Sequence, residues 1–270
     1  MSVAVIGAGM IGTALVKSLL KSRYEGKIIA TDLRFERLAE LKKLGVATTS
    51  DNKEAAKEAA VTIICVKPKD VVKVLAEMKD EVKGKLVISF AAAVRLSILK
   101  KIVPEAHFVR AMPNIAIMVQ ESLTAYSTDP EMAPEVKGKA QQILSKLGRF
   151  IEVEEGYMDA ITGLSGCAPA YLSIILEALT YAGLEVGLPR DLALLSAAQS
   201  MIGTGKLVLE AEKHPAEIRD MVTTPGGVTI EGLRELEKVP IRHAFMRAIK
   251  AATAKSRRIS QASMRGQAKP

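Results

Sequence analysis

Val3-Ala4-Val5-Ile6-Gly7-Ala8-Gly9-Met10-Ile11-Gly12 decides how the first half of the chain folds. Four apolar residues run into a G-x-G-x-x-G turn, and Ile11–Arg23 then carries apolar residues at three- and four-residue spacing. Strand, glycine turn and helix in that order are the context in which such a turn holds a dinucleotide. Each glycine meets a separate demand: Gly7 permits the tight turn, Gly9 removes the Cβ that would block a pyrophosphate, and Gly12 lets helix and strand pack closely. The anion then faces unpaired N–H groups at the positive end of the helix, with Met10 and Ile11 on the same cofactor-binding turn. Asp32 ends a second strand twenty residues after Gly12, where a carboxylate accepts the ribose hydroxyls of the adenosine half. That favours NADH over NADPH, although Arg34, two residues on, could meet a 2′-phosphate.

Working outward, short β-rich runs alternate with amphipathic stretches as far as about residue 153, the pattern of a parallel sheet covered by crossover helices. Strands are expected at Val3–Gly7, Lys27–Asp32, Val61–Val66, Leu86–Ser89, His107–Met112 and Leu123–Ser127, with helices at Ile11–Arg23, Phe35–Leu44, Lys69–Met78 and Leu96–Val103. The fold class is therefore α/β: a Rossmann-type domain over residues 1–155, then an all-α domain for substrate binding and dimerisation over residues 156–270. Beyond Glu155 strand signals cease, and Pro169 and Pro189 stand where a first helical turn tolerates them. Ala170–Val186 is apolar or small on nearly every face. A helix of that kind must be buried all round, and in so small a domain a second copy is the simplest cover. The last dozen residues read as a frayed polar tail.

Composition narrows the function classes. The 270 residues are 49% apolar, with no Trp and ten Phe or Tyr, so the packing rests on Leu, Ile, Val, Ala and Met. The net charge is +8, but Lys255, Arg257, Arg258, Arg265 and Lys269 account for more than half of it. Such an excess suits a polyphosphate cofactor and an anionic substrate, and without interleaved aromatic residues it does not point to nucleic acid. Uninterrupted apolar runs fall short of a membrane span. A first strand starting at Val3 leaves no room for a signal segment, so a cytoplasmic location is expected. Cys65 and Cys167 lie about a hundred residues apart with no ligand spacing to His107, His214 or His243, which implies neither a disulfide framework nor a metal site.

The second half carries the more specific runs: Thr162-Gly163-Leu164-Ser165-Gly166-Cys167-Ala168-Pro169-Ala170-Tyr171, then Gly187-Leu188-Pro189-Arg190, then Thr223-Thr224-Pro225-Gly226-Gly227-Val228-Thr229-Ile230. With Val66-Lys67-Pro68, Met112-Pro113-Asn114 and the first glycines, they resemble the pyrroline-5-carboxylate reductase family over nearly the whole chain, in the same order. The resemblance implies hydride transfer from NADH or NADPH to a cyclic imine, giving L-proline in the last step of its biosynthesis. It implies that Val66, Lys67, Pro68, Ala91 and Asn114 face the cofactor, and that Thr224, Gly226, Gly227, Val228 and Thr229 face the substrate, its carboxylate in the loop and the Thr229 hydroxyl approaching the ring nitrogen. It further implies a dimer in which one subunit's substrate loop faces the other's nicotinamide, with larger assemblies of dimers open. This chain departs from the family at Cys167-Ala168, where Ser-Gly is usual, at Ala93, where Gly is usual, and at Ile115-Ala116, where Thr-Pro is usual.

Residue chemistry supports the loop independently. Two glycines ahead of a helix expose successive N–H groups as an anion-binding concavity, and the helix dipole adds to it. Hydride transfer asks the protein mainly for proximity, orientation and exclusion of water, which suits a chain with no evident acid–base dyad. Lys67 reads better as a cofactor-ribose or structural contact than as a catalytic acid, and Cys167 as a small buried residue without a nearby His. Two other readings are carried: a different Rossmann-plus-helical reductase such as a 3-hydroxyacid dehydrogenase relative, for which Lys206 would be the proton donor, and a dinucleotide-binding regulator without turnover.

Overall fold

In the computed structural model, which describes residues 1–266, the opening apolar run becomes strand β1 (Val3–Ile6), and the glycine turn feeds helix α1 (Met10–Lys21). The same alternation continues through β2 (Ile28–Thr31), α2 (Phe35–Lys43), β3 (Ala47–Thr49), α3 (Asn52–Glu58), β4 (Val61–Ile64), α4 (Val71–Glu77), β5 (Leu86–Ser89), α5 (Leu96–Ile102) and β6 (His107–Met112). Next come β7 (Ser122–Thr128), α6 (Pro134–Leu144) and β8 (Gly148–Glu152). The strands form one sheet in the order β3-β2-β1-β4-β5-β6-β7-β8. Every residue of β1, β2, β4 and β5 is buried, because helices cover both faces and each strand must be apolar on both. Side chains alternate accordingly: Val3 and Val5 join Leu15, Leu41 and Ile88 on one face, while Ala4 and Ile6 join Leu75, Val87 and Phe108 on the other. Fully burying a side chain such as Leu15 or Phe108 contributes about 1.5–3 kcal/mol.

Three features differ from the expectation. The sheet is not wholly parallel, since β7 runs antiparallel to β6 while β8 is parallel to β7. The link through residues 113–121 is shorter than the dozen or more residues a parallel crossover needs, so the chain reverses. The short elements β3, α3 and β8 escape the periodicity. Asp51 starts α3 by accepting from the N–H groups of Lys53 and Glu54. Finally, the C-terminus is helical through Gly266 and not frayed from residue 259; only residues 267–270 lie outside the described ones.

Beyond β8 the first compact unit, Met1–Pro169 with Ile249–Pro270, adds α7 (Met158–Ile161), a π-helical turn (Thr162–Gly166) and the latter part of α12 (Ile241–Gly266). A buried charge cluster ties these to the sheet. Arg110 of β6, 3% exposed, donates from Nη1 to Glu155 Oε1 at 3.1 Å, and its Nη2 lies 3.9 Å from Asp159 Oδ1. The Asp159 carboxylate also accepts from the hydroxyls of Ser256 and Ser260 on α12, at 2.6 and 3.1 Å. Beside it, a Cβ on Gly163 would collide with Thr253, so the π-helical turn and α12 touch directly.

The second compact unit, Ala170–Ala248, contains most of α8 (Ala168–Glu185), together with α9 (Arg190–Leu209), α10 (Pro215–Met221), α11 (Val228–Glu237) and the start of α12. Gly187 at φ +90 ends α8 in a Schellman arrangement, its N–H bonding Leu184 O and that of Leu188 bonding Gly183 O. Gly183 lets α9 close in, since a Cβ there would lie 2.7 Å from that of Ala193. His214 and Glu217 form a reciprocal cap on α10. The apolar helix expected to be buried is, in the single chain, open: Ile174 is 65% exposed and Tyr181 53%. Only Thr180, Ala193 and Ala197 of this unit are buried.

Asp159→Ala should lower the stability of the chain by about 2–4 kcal/mol, because it orphans two buried hydroxyls and removes a charge facing Arg110. Asp159→Asn, which still accepts a hydrogen bond, should cost less. Urea unfolding of the three chains checks the order; equal midpoints would remove the cluster from any stabilising role.

Candidate functional site

The site begins where chain order and spatial order part. Strands β1, β2 and β3 progress one way across the sheet, then the chain crosses back to place β4 on the other side of β1. At such a switch point the loops at the carboxyl ends diverge and leave a crevice. Gly7, Cys65 and Val66 meet there: Gly7, at φ +98, would bring a Cβ to 2.9 Å from Val66 Cγ1. A Cβ on Gly12 would stand 1.9 Å from the Gly7 carbonyl oxygen and 3.3 Å from Cys65 Cβ, so only glycine fits. Burial behind this turn pushes the Cys65 thiol pKa far up and leaves it inert.

Gly9 differs. It is the N-cap of α1 without a side-chain cap, and a Cβ there would meet nothing nearer than Arg37 Nη1 at 3.8 Å. The space over Gly9 and the uncapped N–H groups of α1 suit an anion in van der Waals contact with the backbone. Met10 is 77% exposed beside them, and Ile11 packs against the core. Asp32 lies just past β2, where Gly7 N–H bonds Thr31 O. Its carboxylate already has two partners, Arg34 N–H at 2.9 Å and Arg37 Nη1 at 3.1 Å. Arg34 therefore engages Asp32 through its backbone. The side chain doing so is Arg37, which the sequence reading passed over; the signal was an arginine in the first turn of α2, able to reach back five residues.

The remaining residues of this group occupy the ends of β4, β5 and β6. Lys67 caps the 3₁₀ turn Pro68–Asp70 and is exposed. Ala91 is buried, with its N–H toward Ser89 Oγ. Ala93 is also buried and held at φ +63. A left-handed alanine carries about 1–2 kcal/mol of strain that glycine does not. Asn114 is occupied structurally: its Oδ1 accepts from Ala116 N–H, its Nδ2 donates to Ser165 O, and its N–H bonds Ser122 Oγ. Ile115 and Ala116 continue into the 3₁₀ turn Ile115–Val119. The same Asn114 contact holds the π-helical turn Thr162–Gly166, whose Gly166 would strike Met112 if it bore a Cβ. Such turns mark places where a helix gives up regularity for a local geometric need. Cys167, half-buried at the end of that turn, and Ala168 stand where Ser-Gly is usual.

A second group, in the helical unit, is the loop Thr224–Thr229. Gly227 N–H bonds Thr224 O at 3.0 Å across Pro225 and Gly226, and Gly226 takes φ +67, the pattern of a type II turn. A Cβ at Gly227 would lie 2.3 Å from Thr224 Oγ1, so the hydroxyl folds over the turn. Gly227 then caps α11 with no side-chain hydrogen bond, and Val228 is 92% exposed. Among the described residues the Thr229 hydroxyl has no hydrogen-bond partner. The helix start is thus open, not capped by its own side chains, and its N–H groups are available to a carboxylate.

Comparison with known proteins places the whole chain. Residues 155–259 match the family described as pyrroline-5-carboxylate reductase dimerisation, and residues 2–93 match that described as NADP oxidoreductase coenzyme F420-dependent. The chain is 38% identical to the pyrroline-5-carboxylate reductase of Synechocystis sp., covering 95% of this chain and 97% of the relative. It is equally identical to that of Methanosarcina acetivorans, with the same coverage. Among solved structures, pyrroline carboxylate reductase of Plasmodium falciparum with NADP bound superposes with a TM-score of 0.87 at 27% identity, over 96% of this chain and 98% of that one. By length and composition alone α9 and the stretch Glu155–Glu185 could cross a membrane, yet both fall within the residues matched to dimerisation. With the glycine crevice, the open α11 turn and this end-to-end similarity in hand, the chain belongs to the pyrroline-5-carboxylate reductase family.

Proposed function

We infer that the chain is a cytoplasmic NAD(P)H-dependent reductase that converts pyrroline-5-carboxylate to L-proline. The observation that carries this reading is the Thr224–Thr229 loop: an uncapped helix start preceded by two glycines, with a hydroxyl free beside it. A substrate with one carboxylate and one ring nitrogen a short distance away suits that pairing. A 3-hydroxyacid dehydrogenase leaves the loop without a purpose, and a regulator without turnover leaves it without a ligand. We assign residues 1–155 to cofactor binding and residues 156–270 to substrate binding and dimerisation, a boundary that lies between the two groups of site residues.

The reduced nicotinamide supplies the hydride. Gly7 forms the tight turn, and Gly9, Met10, Ile11 and Gly12 bind the pyrophosphate of the cofactor at the uncapped start of α1, which the space over Gly9 and the 1.9 Å constraint at Gly12 support. Asp32 accepts the adenosine ribose hydroxyls, while Val66, Lys67, Pro68, Ala91 and Asn114 line the rest of the cleft. Thr224, Gly226, Gly227 and Val228 hold the substrate carboxylate at the α11 start, and Thr229 orients the ring nitrogen as positive charge there is lost. No side chain need donate a proton if the imine arrives protonated, so the residues act by orientation and by excluding water.

The direct test is oxidation of NADH and of NADPH with pyrroline-5-carboxylate present and absent. Turnover should require the imine, and NADH should be used at least as efficiently as NADPH, because a carboxylate at Asp32 repels a 2′-phosphate by roughly 1–4 kcal/mol depending on local dielectric. Turnover of a 3-hydroxyacid in place of the imine would reverse the assignment.

Thr229→Ala should lower kcat/KM about tenfold or more if the bond to the ring nitrogen strengthens toward the transition state, since a hydrogen bond to a charged group contributes about 1.5–3 kcal/mol. Thr229→Ser should cost much less, and neither change should alter cofactor affinity. An alanine variant as fast as the native chain would leave Thr229 a packing residue.

Assembly follows from exposure. A unit with three buried residues and exposed Ile174, Tyr181, Leu195 and Ile202 has no core of its own, and such apolar surface belongs in an interface. We propose an obligate homodimer intertwined through residues 156–260, with larger assemblies of dimers open. Sedimentation at assay concentration should find no active monomer; a fully active one would defeat the proposal.

A further inference from the structure

We propose that Arg37 is the residue that lets this cleft accept a 2′-phosphorylated cofactor although Asp32 occupies the ribose position. The proposal rests on the dinucleotide reading of the cleft and deepens it by naming what sets cofactor choice. An acid at the end of β2 normally excludes a 2′-phosphate by charge and by claiming the ribose hydroxyls. Here the acid is not alone. Its Oδ2 accepts from Arg37 Nη1 at 3.1 Å, with the Asp32 side chain 9% exposed and that of Arg37 40% exposed. The same Nη1 is the nearest atom to the space over Gly9, at 3.8 Å from a Cβ built there. One guanidinium group therefore spans the ribose acid and the pyrophosphate turn.

Three further points favour Arg37 over Arg34. Arg37 lies in the first turn of α2, where its N–H bonds Arg34 O, so its Cα is fixed and only the side chain need rotate. Its other guanidinium donors have no protein partner among the described residues, and a planar fork with free N–H groups suits a phosphate. Arg34 is engaged with Asp32 only by its backbone, and its side chain is exposed with no partner among the described residues to aim it. With a ribose hydroxyl present, Asp32 keeps both its ligand and its arginine. With a 2′-phosphate present, Arg37 turns from the carboxylate to the phosphate and offsets the repulsion.

Adenosine 2′,5′-bisphosphate and 5′-AMP test this by calorimetry on the full chain, because neither fragment carries a nicotinamide and binding is read without turnover. Arg37→Gln should weaken the bisphosphate relative to 5′-AMP at least tenfold, Arg37→Lys should restore part of the difference, and Arg34→Gln should shift the ratio less than threefold. The ratio of kcat/KM for NADPH to that for NADH should fall in step. A bisphosphate-to-AMP ratio within twofold of native in Arg37→Gln, or a loss carried by Arg34→Gln instead, overturns the proposal, as does a native chain that binds neither fragment. The fragment result stands whether or not the chain reduces the imine, so failure here and failure of the reductase reading are told apart.

Discussion

The contact between the Gly7 carbonyl and the Cα of Gly12 fixes the geometry on which the site depends. With a would-be Cβ only 1.9 Å from that oxygen, α1 is drawn tightly onto β1, and the N–H groups at its start are aimed along the crevice opened by the switch in strand order. Any other residue at position 12 would push the helix outward by more than a close-packed interior allows. The crevice, the open space over Gly9 and the reach of Arg37 follow from this approach. The buried faces of β1, β2, β4 and β5 provide the rigidity that keeps the loops from spreading.

The two halves of the chain are stabilised in different ways. The first unit holds a sheet with apolar layers on both faces and a buried cluster around Arg110, so it contains its own core. The second has caps, turns and close helix contacts such as Gly183 against Ala193, but almost nothing buried. Its local structure is well specified while its tertiary environment is incomplete in one copy. An apolar surface of that kind is characteristic of a protein interface.

What could be read from sequence follows the range of the interactions. The central strands and α1 were legible because each advertises itself within a dozen residues: an unbroken apolar run, a glycine turn, an apolar stripe. The loop at Thr224–Thr229 was legible for the same reason, as Pro225-Gly226 specifies its turn locally. The short β3 and the edge strand β8, where Phe150 and Ile151 remain exposed, have too few buried positions to set a period. The reversal of β7 depended on a connection length and not on the strand's own composition. Asp32 was legible as the acid at the end of β2, but its pairing with Arg37 was not, because a side chain reaching back five residues leaves no periodic trace. Still less visible was Asp159, whose partners Ser256 and Ser260 lie about a hundred residues away.

That last separation bears on the order in which the protein can be made. Domains commonly fold from the amino end during synthesis, yet the first unit here is finished by the latter part of α12, which is synthesised only after the whole of the second unit. Until then Asp159 has no serine partners, Gly163 has no helix against it, and the Arg110 cluster stands open on one side. The sheet can assemble early, but the closing of its polar cluster waits for the whole intervening helical unit to be translated. Truncation before residue 256 therefore removes the serine partners of Asp159 and weakens the first unit as well as α12.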